Sequence, residues 1–93
     1  MDRQAVETFK LESAISVLGR LGDMMFATIK EELARYHGIT LAVGSPFTLD
    51  ELDSALQNLV GDGAAKWLML EITAEIDYLS NDSFVVQSVL AKQ

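Results

Sequence analysis

The side chains with chemistry to offer are few. They are a lone histidine, His37; the carboxylates Asp50, Glu51, Asp53 and Asp62; the pair Glu71 and Glu75; and Ser13 and Ser54, each behind an acid. One histidine and no cysteine rule out a multi-histidine metal site, a thiolate site and a relay between two imidazoles. The carboxylates between 50 and 62 do not follow the spacing of a calcium loop, and helix capping or solvated surface accounts for each of them. Glu71 and Glu75 fall on one face of a helix, whereas a paired-carboxylate hydrolase holds its two acids in a cleft. Gly61-Asp62-Gly63 has no Gly-Lys-Ser/Thr and no preceding strand, so it reads as a helix break rather than a phosphate cradle. These groups do not assemble into a set of acid, base, nucleophile and metal ligand. The expectation is a protein that is not an enzyme, with no metal site and no cofactor.

The elements available to position these groups are helices. Leu11, Ala14, Ile15 and Leu18 recur at the spacing of one helix face, with Val6, Phe9 and Val17 on a neighbouring stripe, which predicts a first helix over about residues 3–18. Gly19 and Gly22 end it. Asp23 is placed to cap a second helix over about 24–37, whose apolar positions are Phe26, Ile29, Leu33 and Tyr36. Gly38 supplies a left-handed stop, and His37 then sits where a cation complements the helix dipole. Residues 39–43 read as an extended segment packed on the bundle, and Gly44-Ser45-Pro46 excludes helix after it.

Thr48-Leu49-Asp50-Glu51 is a capping box, with Phe47 and Leu52 as its hydrophobic staple, and opens a third helix over 49–60. Asp53-Ser54-Ala55-Leu56 has a faint likeness to the Asp-Ser-Leu of carrier proteins. Their serine lies at the start of a helix after a loop, whereas Thr48 has already started this helix and leaves Ser54 well inside it; the carrier reading is rejected. A fourth helix over about 64–80 carries Ala65, Leu68, Ile72, Ile76 and Leu79 on one stripe and Trp67, Leu70 and Ala74 on another, the pattern of a central helix. Asn81-Asp82-Ser83 predicts a break. Residues 84–90, rich in valine, form either a last short helix or a strand.

The 93 residues have room for one domain, and 49% of them are hydrophobic, too many for a disordered chain. No apolar run approaches the roughly 20 residues of a membrane span, and Met1-Asp2-Arg3-Gln4 leads into no apolar segment of a secretory signal. Cytoplasmic residence without membrane association is the expectation. The net charge is −7, unevenly spread: Lys66 and Lys92 are the only bases after residue 35, against eight acids. Phosphate backbones are held by clustered Lys and Arg, so nucleic acid is not an expected partner. Arg20, Lys30 and Arg35 are the one grouping that resembles a basic patch.

Shifted by 41 residues, the chain matches itself without gaps. Leu11-Glu12-Ser13-Ala14-Ile15 meets Leu52-Asp53-Ser54-Ala55-Leu56, after which Leu18 meets Leu59, Gly22 meets Gly63, Phe26 meets Trp67 and Ile29 meets Leu70. The expected architecture is an all-α, four- to five-helix bundle of two helix–Gly–helix hairpins, either duplicated or alike because amphipathic helices with glycine turns are alike. Leu18-Gly19, Tyr36-His37-Gly38-Ile39, Phe47 before Leu52 and Ala55-Leu56, Val60-Gly61-Asp62-Gly63-Ala64 and Ile72 also carry a resemblance. Over about residues 11–79 they resemble a group of small archaeal all-helical domains of unknown function, found alone or as output domains of signalling proteins. That resemblance implies a helical fold and a regulatory context, and no catalytic residue.

Without a reaction centre, attention moves to apolar side chains that could serve a surface. Met24, Met25, Phe26, Trp67 and Met69, together with Phe84, Val86 and Val89 in the tail, are the candidates for an interface or a ligand site. The first expectation is an interaction module that self-associates, as a dimer, or takes a protein partner in a regulatory or scaffolding role. The second is an effector-binding domain with a pocket between the hairpins, lined by Phe26, Trp67 and the methionines.

Overall fold

A computed structural model describes the backbone of residues 3–92 and the side chains of residues 6–80. Among these residues the chain is all-helical, with four helices and no strand: α1 (Arg3–Gly19), α2 (Asp23–His37), α3 (Leu49–Val60) and α4 (Asp62–Lys92). Each helix packs on its neighbours in the chain, and α4 closes the ring against α1, which with α3 gives it its most extensive contacts. The product is a four-helix bundle. A 31-residue helix is about 46 Å long, and α4 accordingly sets the 49 Å long axis.

The core is one cluster drawn from every element. It joins Ala14, Val17 and Leu18 of α1, Ile29 and Leu33 of α2, Leu52, Ala55 and Leu56 of α3, and Ala65, Leu68 and Ile72 of α4. Ile39, Leu41 and Phe47 from the connection complete it; of the segment 39–43 expected to pack on the bundle, Ile39 and Leu41 do so, whereas Ala42 and Val43 are exposed in a turn, and no strand forms. The α1 face is turned from the expected one. Ser13 and Val17 are buried while Ile15 is exposed, because α1 is gripped between α2 and α4 rather than laid on one neighbour.

Local signals explain most of the helix ends. The Thr48 hydroxyl accepts from the Glu51 amide at 3.0 Å and the Glu51 carboxylate accepts from the Thr48 amide at 3.2 Å, so the capping box is complete. Lys10 steadies the approach to it, donating to the Phe47 carbonyl at 2.8 Å while pairing with Glu7 at 2.8 Å. Gly38 ends α2 at φ 66° and ψ 20°, the left-handed region where a Cβ is strained, and the Ile39 amide then reaches the Leu33 carbonyl at 3.0 Å.

Three expected boundaries need correction. The N-cap of α2 is Gly22, at φ 103°, and Asp23 is the first helical residue, where its charge still favours the positive helix end. The α4 helix begins at Asp62 and takes in Gly63, since amides of a first turn lack partners anyway and glycine is tolerated there. Asn81-Asp82-Ser83 does not break α4, which continues to Lys92 as helix, and the separate fifth helix and the strand both fall away. Asn, Asp and Ser each cost about 0.5–0.7 kcal/mol against alanine, far short of the ~3 kcal/mol of proline, and no glycine accompanies them.

The two interhelical breaks share one geometry. Gly22 (φ 103°, ψ 156°) and Gly61 (φ 90°, ψ 161°) both occupy a region that only glycine enters readily. Four residues later the amide donates back to the glycine carbonyl, Phe26 to Gly22 and Ala65 to Gly61, at 2.9 Å in each case.

Candidate interaction surface

The outer face of α4 is built by helical spacing alone. Trp67, Leu70, Ala74 and Tyr78 follow at steps of three, four and four, which gathers them in a stripe about 80° wide. Ala65, Leu68 and Ile72 face the core from the opposite side of the same helix. The result is a large apolar stripe open to solvent, with Trp67 56%, Leu70 63% and Tyr78 65% exposed. An aromatic side chain offers 150–250 Å², so each ring leaves on the order of 100 Å² uncovered, which makes this face the candidate interaction surface. The second apolar stripe expected on α4 is therefore there, but it faces water instead of a central position in the bundle.

Charged residues border the stripe differently on its two sides. Along one, Arg20 reaches from the α1–α2 turn to Glu75 at 3.3 Å and Glu71 at 3.7 Å. These two acids, expected as plain solvated surface, are half-buried and tie α1 to α4. Along the other lie Lys66 and Asp77, both exposed and in no ion pair among the described residues. Arg35 pairs with Glu31 at 2.8 Å, so Arg20 and Arg35 are each engaged by carboxylates, and of the basic grouping only Lys30 has no ion-pair partner among the described residues.

The candidate residues are dispersed. Met24 and Met25 are exposed at the start of α2, Met24 by 87%; Trp67 is on the α4 stripe; Phe26 and Met69 lean against the core. Phe84, Val86 and Val89 lie outside the residues whose side chains are described. Leu70, Tyr78, Lys66 and Asp77 were not among the interface candidates, although Leu70 was on the second α4 stripe with Trp67 and Ala74, and Tyr78 continues that spacing by one further turn.

Two open clefts flank the bundle. One, of about 480 Å³, runs between Asp53 and Gln57 of α3 and Lys66, Met69 and Thr73 of α4. The other, of about 660 Å³, lies between Leu11 and Ile15 of α1 and the loop around Val43 and Pro46. Met69 lines the first; Phe26 and Trp67 line neither. Among the described residues no three of His, Cys, Asp and Glu gather to hold a metal ion, and no helix is long and apolar enough to cross a membrane. His37 closes α2, half-buried, beside Gly38. No protein-family model, curated protein or solved structure matches the chain.

Proposed function

We propose that this chain is a non-enzymatic helical module that self-associates, in the cytoplasm, in a regulatory or scaffolding role. The observation that carries the reading is the outer α4 face: three large apolar side chains in register on the longest helix, bordered by charge. Its role is the ordinary one of an amphipathic helix with a second apolar face, which is to bury that face against another chain. The resemblance to archaeal signalling output domains agrees with such a role.

We also read the two hairpins as a duplication with a two-residue slip. The matched glycine hinges and the matched burial beyond them support this: Ile29 and Leu33 after Gly22 correspond to Leu68 and Ile72 after Gly61.

Sedimentation across a concentration series tests self-association. The native chain should shift from monomer to dimer, and W67A should remain monomeric with its helical signal intact. Trp67 is the only tryptophan, so its emission should move to shorter wavelength as the dimer forms. A chain that stays monomeric at every concentration would overturn the proposal.

A further inference from the structure

We infer that two copies pair through α4 in antiparallel orientation, about a two-fold axis level with residues 71–72, with Lys66 of each copy against Asp77 of the other. The inference rests on the proposed self-association and specifies its surface.

Lys66 and Asp77 are eleven residues apart, about three turns, and so lie within about 20° of one another on the helix. Both stand on the same margin of the apolar stripe, and neither has an ion-pair partner among the described residues. A two-fold perpendicular to two antiparallel helices keeps each residue on its own side of the seam and inverts its height. Lys66 of one copy then meets Asp77 of the other, twice per dimer. In a parallel pair the two-fold runs along the helices and exchanges the margins, so Lys66 of one copy would approach Glu71 of the other, which Arg20 already engages, and Asp77 would face no unpaired base among the described residues.

The same axis organises the apolar stripe without further adjustment. Its midpoint places Trp67 at a height between the second copy's Ala74 and Tyr78, while the two Leu70 side chains meet near the axis. The small side chain of Ala74 leaves the space that the indole fills, which is the large-against-small interleaving of packed helices. On the far margin Glu71 approaches its own copy near the axis, and Arg20, 3.7 Å from it, supplies the compensating charge. Over the turns from Lys66 to Tyr78 the seam is about 18 Å long, toward the small end of specific interfaces, which suits a reversible dimer.

Charge reversal and a distance measurement test the pairing. K66E and D77K alter exposed positions, so each should fold normally but weaken dimerisation at least about tenfold, and K66E/D77K together should recover it. The chain has no cysteine, so a spin label on G63C reports one distance. The antiparallel pair predicts about 25 Å along the axis between labels, the parallel pair a separation of about 10 Å. A dimer with the short distance, or one indifferent to both reversals, overturns this geometry and leaves self-association standing. A strict monomer removes both.

Discussion

The two halves of the molecule, α1 with α2 and α3 with α4, share one kind of glycine turn and differ in its length. Each is a helix, a glycine hinge in the same backbone region and a second helix whose fourth residue past the hinge donates to the glycine. The first half spends three residues, Arg20, Leu21 and Gly22, between its helices; the second spends only Gly61. That difference of two changes which residues correspond. Counted from the hinges, buried Ile29 matches buried Leu68 and Leu33 matches Ile72, an offset of 39. The ungapped match at 41 pairs buried Ile29 with exposed Leu70 and half-buried Phe26 with exposed Trp67. Likeness of residue type and likeness of environment thus part company after the hinge: counted at 39, the exposed Trp67, Leu70 and Ala74 match Thr28, Glu31 and Arg35, which are exposed as well.

The largest effect separates the two registers directly. Ile29→Ala removes a side chain only 3% exposed and should cost about 2–5 kcal/mol, a large part of the total stability of a domain this size. Leu70→Ala, its partner in the ungapped match, should stay within about 0.5 kcal/mol when unfolding is followed below the dimerisation range. Leu68→Ala, its partner from the hinge, should resemble Ile29→Ala. Chemical denaturation of the three variants decides the matter: comparable losses at Ile29 and Leu70 would restore the offset of 41.

A smaller effect is expected at the hinges. Gly61→Ala forces a Cβ into its glycine-only conformation and should cost about 1–3 kcal/mol, as should Gly22→Ala. Gly63, the counterpart of Gly22 in the ungapped match, lies inside the first turn of α4, and a Cβ there meets nothing within 4 Å. Gly63→Ala should therefore be neutral or stabilise by up to about 1 kcal/mol. Thermal unfolding of Gly61→Ala beside Gly63→Ala reads the contrast, and a loss at Gly63 as large as at Gly61 would remove the hinge equivalence.

These contrasts also mark where the amino-acid order was informative. The third helix was legible to the residue, because Thr48, Glu51, Phe47 and Gly61 are local signals that act within one turn. The Gly38 stop was legible for the same reason. The outer side of α4 was half legible: Trp67, Leu70 and Ala74 stood out as a stripe, but periodicity cannot say whether a second stripe meets a neighbour or water. Neither could it reveal that Arg20 answers Glu71 and Glu75, a contact between residues about fifty positions apart that depends on how α1 lies on α4. The same ambiguity turned the α1 face and buried Ser13 in place of Ile15.

Ser13 supplies the finest test of the difference between the halves. Its hydroxyl is fully buried and has no hydrogen-bond partner among the described residues, while Ser54, its counterpart at offset 41, is exposed. A buried hydroxyl without a partner carries a desolvation penalty of about 1–3 kcal/mol, which removal of the oxygen relieves. The vacated volume is small, and alanine is also the better helix former by about 0.5 kcal/mol. Ser13→Ala should therefore stabilise the chain by about 1 kcal/mol, raising the melting temperature by about 4–8 °C at this length. Ser54→Ala should bring only the propensity gain, a few tenths of a kcal/mol. A melting temperature lowered by Ser13→Ala would mean that the hydroxyl is bonded in solution, to a buried water or to the carbonyl one turn back. The core around α1 would then be polar by design, and the two halves would differ in chemistry as well as in the length of their hinges.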